Sequence, residues 1–141
     1  MSCSIDNEAF QQLLELDDDD HHEFSLSIIK EFFESTEVCV KTMDQHMMDG
    51  NFEEVGKIGH YLKGSAAGIG AAQVRDVCDE IQHYDLIADH KYERLTELIL
   101  KLKEYVIIAR GAFKVRYAQF DAHTTWPKPG IQPSPCCPAH L

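Results

Sequence analysis

His60 and Lys63 stand one helical turn apart, in the run Gly59-His60-Tyr61-Leu62-Lys63-Gly64-Ser65-Ala66-Ala67-Gly68-Ile69-Gly70. Set about 100° apart around a helix over 52–69, Val55, Ile58, Leu62, Ala66 and Ile69 form one apolar stripe. His60 falls on the opposite face, among Glu53, Gly56, Lys57, Lys63, Gly64 and Ala67, with Tyr61 and Gly68 at the flank. A glycine inside a helix costs ~1 kcal/mol relative to alanine, and this helix carries Gly56, Gly59, Gly64 and Gly68. Such a run is expected to serve close approach. A partner's backbone can come nearly to contact with a ring that has no bulk around it, and a lysine one turn on can reach a phosphate held there. An exposed imidazole has a reference pKa of ~6.5, so near neutral pH it offers an unprotonated nitrogen as a nucleophile. Phosphoryl transfer then asks mainly for positioning and charge stabilisation. Lys63 is placed to stabilise the equatorial oxygens, and Lys57 to add attraction at longer range. A solvated surface histidine remains the plainer reading of His60 when the ring is taken alone.

Other chemistries find less support. The segment Gly64-Ser65-Ala66-Ala67-Gly68-Ile69-Gly70 has glycines but no lysine after them and no strand leading in, so it is not a nucleotide-binding loop and no ATP binding is expected. Ser65 has no base set beside it by any triad pattern and reads as a packing or hydrogen-bonding residue. His21, His22, His46, His83, His90, His123 and His140 lack a lysine and glycine frame. Cys39 and Cys78 occupy apolar helical positions, Cys3 is near the terminus, and Cys136 and Cys137 are adjacent. That spacing suggests neither a disulfide framework nor a zinc site, and free thiols and no metal are expected.

The elements that must hold His60 are helical. All five prolines lie at or beyond Pro127, so the first 126 residues lack the commonest helix breaker and the chain reads as all-α. Asp6 is positioned to cap a short helix over 7–16. Its apolar residues Phe10, Leu13, Leu14 and Leu16 exceed one buried stripe, leaving two readings: a terminal helix folded over the bundle end, or one whose Leu13 and Leu16 stay partly exposed in a docking patch. Asp17 to Asp20 with His21 and His22 form the link to a second helix over 23–48, whose core stripe is Ile29, Phe32, Phe33, Thr36, Val40, Met43 and Met47. A solvated acidic turn meeting the helix dipole is the simple reading of that link; a metal site lacks the spaced pattern it would need. Asp49-Gly50-Asn51 breaks the chain, and so short a loop makes the second and third helices antiparallel neighbours. A fourth helix is expected over 71–84, with Val74, Val77, Cys78, Ile81 and Tyr84 inward and Gln82 leaning toward the third. A polar loop leads to a last helix over 91–120 on the period of Leu95, Leu98, Leu102, Val106, Ala109, Phe113, Tyr117 and Phe120, with Gly111 a place for a bend. Beyond it the composition turns to proline, and a disordered tail over 122–141 is expected after a domain over 1–121.

Composition narrows the classes. One core fits in 141 residues. With 24 acidic against 13 basic residues, and eight acids but no lysine or arginine in the first 29, the chain lacks the positive footprint that nucleic acid requires. No apolar run reaches a membrane span and no signal-peptide pattern opens the sequence. A monomer of the cytosol is expected, with access to the nucleus at this size.

The register His60-x-Leu62-Lys63-Gly64-Ser65-Ala66-x-x-Ile69-Gly70 resembles the central motif of histidine-containing phosphotransfer (HPt) domains. Asp17 to Asp20, Phe24 and Val77-Cys78-x-x-Ile81-Gln82 resemble flanking segments of the fungal phosphorelay intermediates of the yeast osmosensing type. The likeness runs from roughly residue 9 to 120; the proline-rich tail departs from it. It implies an antiparallel four-helix bundle, here with the short extra N-terminal helix. The function it implies is that of a phosphorelay intermediate in two-component signalling, a carrier without kinase activity. Such a carrier accepts a phosphoryl group on His60 from a receiver aspartate of a hybrid histidine kinase and donates it to that of a response regulator. The resemblance implies that Gln82 supports the active-site helix. It brings the acidic turn of Asp17 and Asp20, with Phe24 and Ile28, to the border of a receiver-docking surface. Leu13, Leu16, Tyr61, Gly64, Ser65 and Gly68 complete the expected partner surface. No cofactor is implied in this chain, Mg²⁺ belonging to the receiver partner. The rival reading is a helical adaptor whose apolar and acidic face binds a partner without chemistry.

Overall fold

Helix is what a proline-free amphipathic sequence allows, with glycine turns at Gly50 and Gly70, and helix accounts for most of the described backbone. The structure, a computed structural model, describes residues 5–18, 20–84, 90–120 and 126. Its helices are α1 (Asn7–Leu14), α2 (Glu23–Asp49), α3 (Phe52–Ile69), α4 (Ala72–Gln82) and α5 (Lys91–Ala118). α2 to α5 pack as the four-helix bundle, α3 lying against α2 and α4, and α5 against α2 and α4; α1 covers α3 from one end. Among the described residues the only β pairing is the isolated bridge of Ile5 with Ala71.

The ends of the helices follow local chemistry. Asp6 caps α1, its carboxylate accepting from the N–H of Glu8 at 3.1 Å and of Ala9 at 3.4 Å. α2 stops at Gly50, whose φ of 76° turns the chain so that the Asn51 N–H donates to the His46 carbonyl at 2.8 Å. α3 stops at Gly70 in the same way, with φ of 87° and the Ala71 N–H on the Ala66 carbonyl at 2.9 Å. Gly70 has a second duty. The Asp6 N–H donates to its carbonyl at 2.6 Å, and a Cβ on Gly70 would lie 2.7 Å from the Asp6 carbonyl oxygen.

The expected stripes of α2 and α3 are buried, except that Ile58 is half-buried and Gly59 takes its place in the interior. At the α1 end, Phe10 meets Phe113 and Tyr117 edge-on with ring centroids 5.4 and 5.8 Å apart. This packing fixes α1 on the bundle and settles its faces: Leu13, one turn after Phe10, is buried. The sequence extends three helices too far. α1 ends at Leu14, α4 spans Ala72–Gln82, and α5 ends at Ala118, without a break at Gly111. Tyr84 is half-buried outside α4, and Phe120 is exposed, though its ring leans on His22 and Tyr117 at 4.1 and 5.5 Å.

Cys39 and Cys78 are free thiols; burial pushes that of Cys78 up to about 12, with Cys39 adding to the shift. Among the described residues no helix is long and apolar enough to cross a membrane. The expected tail over 122–141 lies outside the described residues apart from Trp126. That indole stands 6.3 Å from the Tyr117 ring and 5.9 Å from Lys30 Nζ, so at this residue the segment packs on the core.

Gly70→Ala is expected to destabilise the fold by about 2 kcal/mol or more. The left-handed backbone penalises a Cβ, and the atom it would meet is backbone and cannot rotate away. A urea unfolding midpoint equal to wild type would refute the seating of the N-terminal segment on this turn.

Candidate functional site

The outer face of α3 carries the site. His60 is exposed, and among the described residues no hydrogen bond or ion pair engages its ring. One turn on, Gly64 is exposed, and so is Gly68 a turn later; a Cβ at either would meet nothing within 4 Å. The clearing on this side of the ring is therefore real and open. The other two glycines do different work. Gly59 is buried at the seam with α4, where a Cβ would stand 3.0 Å from Ile81 Cγ2 and 3.2 Å from the Cys78 carbonyl. Gly56 is half-buried at the end of that seam, with the Gln82 and Ile81 carbonyls 3.7 and 3.8 Å from its Cβ position. Two glycines bare the surface and two let α3 sit close on α4.

That close packing places α4 side chains beside the histidine. Gln82 lines a hollow of about 400 Å³ together with Phe52, Glu53, Gly56, Lys57, His60, Ile81 and Tyr84. Its Oε1 is buried with no hydrogen-bond partner, a free acceptor at the seam. Lys63 is half-buried and reaches across to α4, its Nζ 3.2 Å from Asp79 Oδ1. His83 Nδ1 lies 3.1 Å from that same oxygen. Lys57 is exposed and pairs with Glu54 at 3.0 Å. Asp79 was not singled out in the sequence, although it lies one turn before Gln82 and so on the same side of α4.

On the other flank a groove of about 290 Å³ runs between α2 and α3, lined by Ile28, Glu31, Ser35, Tyr61, Gly64, Ser65 and Gly68 over the buried Phe32, Leu62 and Ile69. Tyr61 is 55% exposed and its hydroxyl stands 3.5 Å from Ser35 Oγ. Ser65 donates back to the Tyr61 carbonyl at 3.3 Å, a helix-surface bond.

The family model for the Hpt domain matches residues 27–110. The chain belongs to the Hpt domain family. Among its relatives, Multistep phosphorelay regulator 1 of Schizosaccharomyces pombe is 42% identical over 80 residues, 57% of this chain and 27% of that protein. Phosphorelay intermediate protein YPD1 of Saccharomyces cerevisiae is 33% identical over 99 residues, 69% of this chain and 58% of that one. The chain thus spans about a quarter of the first relative and less than two thirds of the second. The solved structure of yeast YPD1 superposes with a TM-score of 0.73 at 18% identity, covering 83% of this chain and 96% of that chain. A co-crystal of the same yeast protein with the receiver domain of its downstream response regulator Ssk1 superposes with 0.61 at 20% identity, covering 85% and 95%.

Within this Hpt fold the expected partner residues separate. Phe24 and Leu16 are 51% and 59% exposed, Asp20 is exposed, and Ile28 is half-buried at the groove. Two expectations fail. Leu13 is in the core, held there by the packing of Phe10 and α1, and offers nothing to a partner. Asp17 is not a surface acid: its side chain is 2% exposed. It binds the first turn of α2 from eight residues before Ser25, accepting from the Ser25 N–H at 2.7 Å, the Ser25 hydroxyl at 2.7 Å and His22 Nδ1 at 2.8 Å. Ser25 Oγ in turn accepts from the Tyr117 hydroxyl at 2.7 Å. Burial pushes that phenol up to about 12, and the Asp17 charge adds to the rise against the Ser25 bond.

Burial alone would raise the Asp17 carboxyl, but the Ser25 backbone N–H, the Ser25 hydroxyl and His22 outweigh it and hold the group below its ordinary 3.8. A carboxyl depressed in the folded state adds stability that is fully present above the ordinary value and is lost as pH falls through the folded one. Asp17→Asn should therefore cost about 1–3 kcal/mol at neutral pH, and its deficit should close as pH drops below 3.8. Urea titrations of both proteins from neutral to acid pH measure this; a deficit that stays constant in acid contradicts it.

Proposed function

We propose that this Hpt chain is the carrier of a phosphorelay. It takes a phosphoryl group onto His60 from a receiver aspartate of a hybrid histidine kinase and passes it to the receiver aspartate of a response regulator. The observation that carries the reading is an exposed, unengaged imidazole next to the open glycines at 64 and 68, with Lys63 one turn on. An unprotonated ring nitrogen attacks the phosphorus of the aspartyl phosphate. The P–N bond forms as the P–O bond to the carboxylate breaks, its electron pair leaving on the aspartate, while the other ring nitrogen keeps its proton. Donation is the same step reversed. Catalysis of such a loose transition state is mostly positioning and charge stabilisation, which the bare face and the Lys63 ammonium supply.

The remaining roles belong to the same reading. Gln82 supports the active-site helix from the α3–α4 seam. The groove of Tyr61, Gly64, Ser65, Gly68 and Ile28, extended by Phe24, Leu16 and Asp20, receives the receiver domain. Mg²⁺ and the acceptor aspartate come with that domain, and the chain neither holds ATP nor acts as a kinase. A small diffusing carrier suits a path from the cytoplasm into the nucleus. The names of the relatives support this reading, as does the receiver domain bound to the yeast protein.

Incubation with a phosphorylated receiver domain should move acid-labile, alkali-stable phosphate to the wild-type chain and none to His60→Gln. A helical adaptor without chemistry would bind through both and label neither. Gly64→Gln should keep its helical signal and melting temperature while transfer falls about tenfold or more, since displacement of reacting groups by an ångström has costs of that order. Normal transfer by Gly64→Gln would show that the clearing is not the route of approach.

A further inference from the structure

The lysine assigned to the phosphoryl group is already occupied. Its Nζ lies 3.2 Å from Asp79 Oδ1, and that oxygen is also 3.1 Å from His83 Nδ1, whose ring stands 3.0 Å from the Asp79 carbonyl oxygen as well. His60, one turn before Lys63 on α3, has no partner among the described residues. We infer that Asp79 is a positioning residue for the transfer: it holds Lys63 while His60 is free and gives it up when the phosphoryl group arrives. Asp79 thereby sets how far the equilibrium lies toward phosphohistidine. The inference rests on the phosphorelay reading and adds no covalent step to it.

The reasoning turns on one ammonium and two anions. Lysine is a flexible point charge with three donors, and the phosphoryl group on His60 brings more negative charge than a carboxylate, one turn away on the same helix. A carboxylate–lysine pair this accessible to water, its lysine half-buried and its carboxylate exposed, contributes little, so the lysine changes partner readily. Each phosphorylation of His60 nonetheless includes loss of the Lys63–Asp79 contact. The equilibrium is therefore biased toward the receiver by the strength of that one pair. Asp79 is exposed on the outer turns of α4, so its replacement leaves the core untouched.

The test mixes phosphorylated receiver domain with each full-length variant and reads the ratio of phosphohistidine to aspartyl phosphate once the two have exchanged. Asp79→Asn should raise the ratio two- to fivefold, the range of an exposed ion pair, with an unchanged melting temperature, and Asp79→Glu should restore the wild-type ratio. In a Lys63→Ala background the same Asp79→Asn change should do nothing, because the effect passes through the lysine. An unchanged ratio in Asp79→Asn overturns the inference, and so does an equal rise in the Lys63→Ala background, which would mean direct repulsion by Asp79. If labelled wild type forms normally in either case, the carrier reading survives. A wild-type chain that takes no label sinks both.

Discussion

At Gly59 the third and fourth helices meet so closely that a side chain would make its neighbours give: a Cβ there would stand 3.0 Å from Ile81 Cγ2 and 3.2 Å from the Cys78 carbonyl. Interiors are packed too densely to absorb such an intrusion without a shift of Ile81 or of the α4 backbone. This contact sets what His60 has for neighbours. Because α4 lies hard against the inner side of α3, Gln82 reaches the hollow beside the imidazole and Asp79 reaches Lys63. The outer side of the same helix is bare at Gly64 and Gly68. One helix thus uses glycine for two opposite ends, tightness within and clearance without, and the phosphoryl chemistry proposed for it needs both.

A second constraint frames the far end of the site. The start of α2 is tied to the end of α5 by the chain of bonds from Tyr117 through Ser25 to Asp17, a buried network whose members are satisfied by one another. It fixes where α2 begins, and hence where Phe24 and Ile28 stand relative to the groove along α3. The acidic turn is therefore divided. Asp17 holds the fold and Asp20 faces solvent.

Much of this was legible in the residues. The span of α3 follows from Asn51 before it and Gly70 after it, both local signals, and its apolar period places His60 outside. α2 could be read the same way. What could not be read depends on contacts distant in the chain. The period sets Gly64 outward with His60, but it sets Gly56 there too, and that Gly56 lies at the seam with α4 depends on the angle at which the neighbour lies. Leu13 and Leu16 look alike until Phe10 is seated among Phe113 and Tyr117 and α1 ends at Leu14. Asp17 reads as one acid of four, and only Ser25 and Tyr117, the latter from the other end of the domain, set it apart. The bond between Lys63 and Asp79 was likewise hidden, because a helical pattern gives faces and not the pairing of faces.

The account stands or falls on the chemistry of one ring. Wild-type chain phosphorylated by a receiver domain, digested at neutral pH and mapped by mass spectrometry with phosphorus NMR of the intact protein, addresses it directly. A single phosphoramidate resonance and a modified peptide containing His60 are predicted. Phosphate on His22, His46, His83 or His90, or none on any histidine, would contradict the account.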